Sequence, residues 1–142
     1  MDLQATRDFK RPRAKVLASF RDPARFETVM RDMGAAAERA GEPDEPRWAC
    51  QLMWRDEPRR FSAELVETVP NETMTLVMDS EIAGGLLTID FYDLPDNGCR
   101  AIAKADLKPH TLIAKVAVQS LRLMRGKAED RLTRFVGAMG RP

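Results

Sequence analysis

The chain is predicted to be an α+β protein in which a curved antiparallel sheet wraps one long C-terminal helix. Three observations carry this. From Pro109 to Met139, apolar residues recur every three or four positions: Leu112/Ile113, Val116/Ala117, Leu121, Met124, Ala128, Leu132, Phe135/Val136 and Met139. That spacing makes a helix with one stripe that must be buried. Between Trp48 and Leu107, apolar and polar residues instead alternate in short runs separated by turn residues, the pattern of half-buried strands. Two short amphipathic segments joined by an Asp-Pro corner come before them.

In chain order, residues 2–9 alternate Leu3, Ala5, Arg7 and Phe9 against polar neighbours and read as a strand. Pro12 suits the first turn of a helix running to Phe20 with Val16, Leu17 and Phe20 inward. Asp22 can cap a second helix that Pro23 begins, with Phe26, Val29, Met30 and Met33 on its apolar side. Over residues 34–40 alanine propensity favours helix, but Gly34 signals a stop, so a short edge strand is expected. Gly41–Pro46 reads as a loop.

The meander follows. Trp48, Cys50, Leu52 and Trp54 share one face, and Asp56–Pro58 is expected to turn the chain. Phe61, Ala63 and Leu65 alternate next, then Met74, Leu76 and Met78 after the Pro70-Asn71-Glu72 turn. Gly84-Gly85 interrupts the pattern and is expected to connect strands. Leu87, Ile89 and Phe91 form another inward row, Asp96-Asn97-Gly98 signals a hairpin, and Cys99, Ala101, Ala103, Ala105 and Leu107 line the last strand.

Three stretches, with this order of elements, carry a family resemblance. FKRP followed by VLASFRDPARFE looks like an opening strand leading into a helix and an Asp-Pro corner. ETVP followed by MTLVMDS looks like a central hairpin with a proline turn. LKPHTL, running into AVQSLRLMRGKAEDRL, looks like the last strand-to-helix junction. The chain thereby resembles, over nearly its whole length, the SRPBCC superfamily of START lipid-transfer domains and pollen-allergen-like, polyketide cyclase-like and CoxG proteins. MGAAAERAG departs from that pattern as a weak second strand. The resemblance implies a helix-grip fold of about six or seven strands over residues 1–142, as one domain. It also implies a cavity between sheet and helix for a small hydrophobic or amphipathic ligand, held without catalysis. The alternative it leaves open is a polyketide cyclase- or hydrolase-like enzyme.

The candidate cavity residues follow from the inward rows: Trp48, Leu52 and Trp54; Phe61 and Leu65; Leu76 and Met78; Ile89 and Phe91; Ala101, Ala103 and Ala105. Leu112, Val116, Leu121 and Met124 join them from the helix, whose first half is expected to face the cavity and whose second half, beyond Gly126, seals the core. The alanine row leaves two readings open, a cavity or a helix packed closer to the sheet.

Composition excludes several classes. A hydrophobic fraction of 44% in 142 residues supports a folded core. A net charge of +1 gives no global attraction to nucleic acid or anionic membrane, so such a role needs a local patch. With no apolar run of transmembrane length and no signal-peptide pattern, a cytoplasmic protein without integral membrane association is expected, as monomer or weak homodimer. Cys50 and Cys99 are expected to be buried free thiols. With one histidine, His110, and no paired cysteines, neither metal nor cofactor is expected. Any acid–base chemistry would fall to His110, Tyr92 or an acidic side chain. The basic residues of the long helix, interrupted by Glu129 and Asp130, read as a solvated face.

Overall fold

The computed structural model describes residues 1–42 and 45–142. Pro43 and Asp44 of the expected Gly41–Pro46 loop lie outside the described residues. The elements are β1 (Asp2–Phe9), α1 (Arg13–Arg21), α2 (Pro23–Asp32), β2 (Ala35–Arg39), β3 (Arg47–Trp54), β4 (Glu57–Val69), β5 (Thr73–Asp79), β6 (Ala83–Leu94), β7 (Gly98–Pro109), α3 (Leu112–Leu123) and α4 (Arg125–Met139). The strands form one antiparallel sheet in the order β1-β7-β6-β5-β4-β3-β2.

Local chemistry explains the boundaries. The Asp22 side chain accepts a hydrogen bond from Ala24 N at 3.0 Å, with Pro23 in the first turn of α2. Gly34, at φ +94°, stops α2 and admits the expected edge strand β2. The β3–β4 turn is Arg55-Asp56, both at positive φ, rather than the expected Asp56–Pro58. Trp54 pairs with Glu57 across it, so the loop has only two residues and needs left-handed backbone at both. Gly84-Gly85 does not connect strands: both lie inside β6, pairing with Asp79 and Met78 of β5 and Lys108 and Leu107 of β7.

The concave face of the sheet carries the core. Phe26 of α2 lies 4.1 Å from Trp48, ring centre to ring centre, and meets Phe135 of α4 edge-on at 6.5 Å. Phe20 of α1 meets Phe91 edge-on at 5.0 Å. Val136 and Met139 complete the cluster, with Ala101 and Ala103 fully buried in it. The alanine row therefore allows close packing under the helices.

The expected single helix is bent. Its backbone breaks at Met124 (φ −116°, ψ 30°), two residues before Gly126, giving α3 and α4. Only α4 packs on the core. Polar bonds from its two ends to residues 2–25 fix it there. Glu129 accepts from Gln4 N at 2.8 Å, and Arg125 donates to Asp2 O at 2.6 Å, covering backbone groups of edge strand β1. The terminal carbonyls of Ala138, Gly140 and Arg141 take hydrogen bonds from Arg25, Arg11 and Ser19.

One ion pair ties α1 to the β4–β5 turn. Arg21 donates to both carboxylate oxygens of Glu67, at 2.7 and 2.8 Å, and Asn71 N donates to it at 2.6 Å. The Arg21 hydrogen bonds outweigh partial burial, with help from Asn71, and hold Glu67 at about 2, below the ordinary 4.5. A carboxylate depressed on folding stabilises above its unfolded value, and that stability is lost as pH falls through the folded one. Urea midpoints should therefore drop between about pH 4.5 and 2, and Glu67→Gln should flatten that drop. An unchanged acid profile in the variant would contradict this role.

Candidate functional site

The inward rows of β3 to β7 extend beyond the elements that cover them. Cross-strand register sets Trp48, Ala63, Met78, Gly85 and Leu107 in one row across the sheet. Trp48 and Ala63 are buried, whereas Met78, Gly85 and Leu107 are half-exposed. Farther toward the β3–β4 tip, Leu52 pairs with Arg59, and Phe61 lies beside Cys50. Together these residues enclose an open, mainly apolar cleft of about 560 Å³, lined by Leu52, Trp54, Arg59, Phe61, Met78, Gly85 and Leu107, with Ser80 to Ala83 along its edge.

Glycine sets the depth of the cleft. A Cβ on Gly85 would stand 3.4 Å from Met78 Cε and 3.5 Å from Leu107 Cδ2, so a larger residue would occupy cleft volume without striking backbone. The rim is polar. The Trp54 ring has the Arg55 guanidinium 4.8 Å from its centre and that of Arg59 at 5.3 Å. Arg59 pairs with Glu57 at 3.0 Å, while its shielded Nε has no hydrogen-bond partner among the described residues. On the opposite rim, His110 Nε2 lies 3.2 Å from Asp79 Oδ1, and a Cβ on Gly84 would sit 3.3 Å from the same nitrogen.

The candidate residues thus divide three ways. Leu52, Trp54, Phe61 and Met78 line the cleft. Trp48, Leu65, Leu76, Ile89, Phe91, Ala101 and Ala103 are buried in the packed core, and Ala105 is partly buried against it. Leu112, Val116 and Met124 are corrected: they are 78%, 53% and 49% exposed and do not line the cleft. The break at Met124 reorients α3, whose buried residues are the smaller Ala114 and Val118, while Leu121 is half-buried. The lining of this cleft comes from the sheet and its loops, and none of it from α3.

Arg59, Gly85 and Leu107 were not among the candidates. Arg59 had a signal, since alternation back from Phe61 puts it on the inward face. Tyr92 follows inward-facing Phe91, so it projects from the convex side and is 51% exposed. His110 is also exposed, but with a carboxylate beside it. Cys50 and Cys99 are buried and free; burial pushes the Cys50 thiol up to about 11 and raises that of Cys99, which suppresses the reactive thiolate. Among the described residues, no three His, Cys, Asp or Glu side chains cluster to hold a metal ion, and no helix is long and apolar enough to cross a membrane. A second depression of about 620 Å³ lies outside β3–β5 among Arg47, Arg60, Glu64 and Asp79. Its charged, convex surroundings make it a weaker binding site than the apolar cleft.

A curved seven-stranded sheet, two helices after the first strand and a C-terminal helical segment across the concave face define an SRPBCC-like helix-grip fold. Solved structures agree. A conserved protein from Geobacillus kaustophilus superposes with a TM-score of 0.77 at 16% identity, covering 99% of this chain and 93% of that one. A START superfamily protein from Mycobacterium smegmatis matches with a TM-score of 0.59 at 10% identity, over 92% and 95% of the two chains. Ara h 8.0201 matches with a TM-score of 0.61 at 8% identity, over 98% and 97%. No protein-family model and no curated protein matches the sequence.

Proposed function

We propose that this cytoplasmic chain, acting as one helix-grip domain, binds a small amphipathic, lipid-like ligand in the cleft without transforming it. The observation that carries the reading is an apolar floor of Leu52, Phe61, Met78 and Leu107 left open beside a fully packed core. Burying an acyl or ring system there would gain about 0.8 kcal/mol per methylene. The polar end of the ligand then meets the rim, where the guanidinium groups of Arg55 and Arg59 stand at the Trp54 ring.

Two tryptophans make the test direct, because Trp48 is 2% exposed in the core and Trp54 lines the cleft. Titration with oleate should shift tryptophan emission saturably in the wild type and leave Trp54→Phe silent. Native mass spectrometry of the purified protein should show a retained small molecule. A silent wild type with nothing retained would overturn the reading.

A second reading, cyclase- or hydrolase-like acid–base chemistry, has one observation in its favour: the His110–Asp79 contact at the rim. It requires turnover of a p-nitrophenyl acyl ester that His110→Ala abolishes. Without such turnover, the pair is a clamp holding the α3 end to the β5–β6 turn.

A further inference from the structure

α3 has an outer face that none of the described residues covers. Leu112, Ile113, Val116, Leu123 and Met124 are 78%, 61%, 53%, 90% and 49% exposed. At 3.6 residues per turn they occupy one contiguous arc, opposite buried Ala114 and Val118. The charge pattern around the arc has one sign. From Leu107 to Ala128 the chain contains Lys108, Lys115, Arg122, Arg125 and Lys127 and not one Asp or Glu. Arg125 is taken up by Glu129 and Asp2 O, which leaves Lys108, Lys115, Arg122 and Lys127 as a run of cations in a chain whose net charge is only +1. Lys115 and Arg122, seven residues apart, follow one edge of the arc, and neither has an ion-pair partner among the described residues.

We infer that α3 is a peripheral docking helix for an anionic lipid surface, lying in the interface with its apolar arc in the acyl boundary and its cations on the headgroups. An exposed apolar arc bordered by Lys and Arg is the composition such helices require. Self-association through the same face is disfavoured by charge. A two-fold contact presents each patch to its own copy, and this one would set Lys115 and Arg122 near their equivalents without an acidic residue on α3 to answer them. An anionic bilayer supplies that complement, at about 1 kcal/mol per cation near the surface. Docking also orients the molecule. α3 begins just after His110, which is bonded to Asp79 on the cleft rim, so the docked face adjoins the cleft mouth.

Cosedimentation of the full chain with vesicles tests this. Binding is expected to vesicles of equal phosphatidylcholine and phosphatidylglycerol, to fall steeply with added salt, and to be weak on phosphatidylcholine alone. Lys115→Glu/Arg122→Glu should lower the partition coefficient at least about tenfold, and Ile113→Ser/Leu123→Ser should lower it comparably. Because all four side chains are exposed, thermal midpoints should not change. No binding to the anionic vesicles, or equal binding to neutral ones, overturns the inference. So does a wild-type dimer that Leu123→Ser dissociates in the absence of vesicle binding. The inference does not depend on the ligand reading: a variant with the cleft filled at Gly85 should bind vesicles like wild type, so the two can fail separately.

Discussion

Phe26→Ala is expected to cost about 3–5 kcal/mol, the upper end of what truncating one buried side chain does to a domain. Phe26 is 0% exposed and touches three elements at once: its own helix α2, Trp48 on β3 and Phe135 on α4. Truncation forfeits the ring's transfer free energy. It also leaves a cavity that Trp48 cannot fill, since the indole is held by β3 on one side and its N–H donates to Glu27 at 3.3 Å on the other. Urea denaturation should report the loss as a lower midpoint at unchanged slope. Phe61→Ala provides the contrast, because Phe61 is half-buried and borders the open cleft. Its stability cost should be clearly smaller while oleate binding suffers more. Equal stability costs at the two positions would mean that the cleft floor is as tightly packed as the core.

Gly85→Leu is expected to weaken oleate binding about tenfold or more with little change in stability. The new Cβ would meet Met78 and Leu107 at ordinary contact distances, and Gly85 is not at positive φ, so β6 retains its backbone. The rest of the side chain grows into the cleft. Excluding only two methylenes of a ligand forfeits about 1.6 kcal/mol of burial, roughly tenfold in affinity. Isothermal titration of wild type and variant with oleate checks it. Undiminished binding would place the ligand elsewhere, and the cleft reading would fall.

Much of the architecture is legible in the residues alone. Asp22-Pro23 marks the α1–α2 corner, and alternation in β3, β4, β6 and β7 places Trp48, Leu65, Ile89 and Ala101 on the concave side. In a strand with one buried face, a period of two leaves only one register compatible with burial. Turn chemistry is less reliable. Arg55 is a poor candidate for positive φ, and only the pairing of Trp54 with Glu57 forces it there. Gly84-Gly85 resembles a break because glycine weakens strands; the neighbouring strands β5 and β7 supply the hydrogen bonds that hold it in one.

Amphipathic periodicity shows that a helix has an apolar stripe, but not which part of that stripe finds a partner. The residues of α3 and α4 read as one continuous seam in the chain. Phe135, Val136 and Met139 reach the core because Arg11, Arg25 and Ser19 hold the last turn of α4 and its Arg125 and Glu129 clasp β1. Leu112, Val116 and Leu123 carry the same local signal and face outward, because the backbone turns at Met124. Local spacing thus determined the strands, their inward faces and the existence of the helical segment. Long-range bonds and that one bend decided where the core ends, where the cleft opens and which apolar face remains exposed.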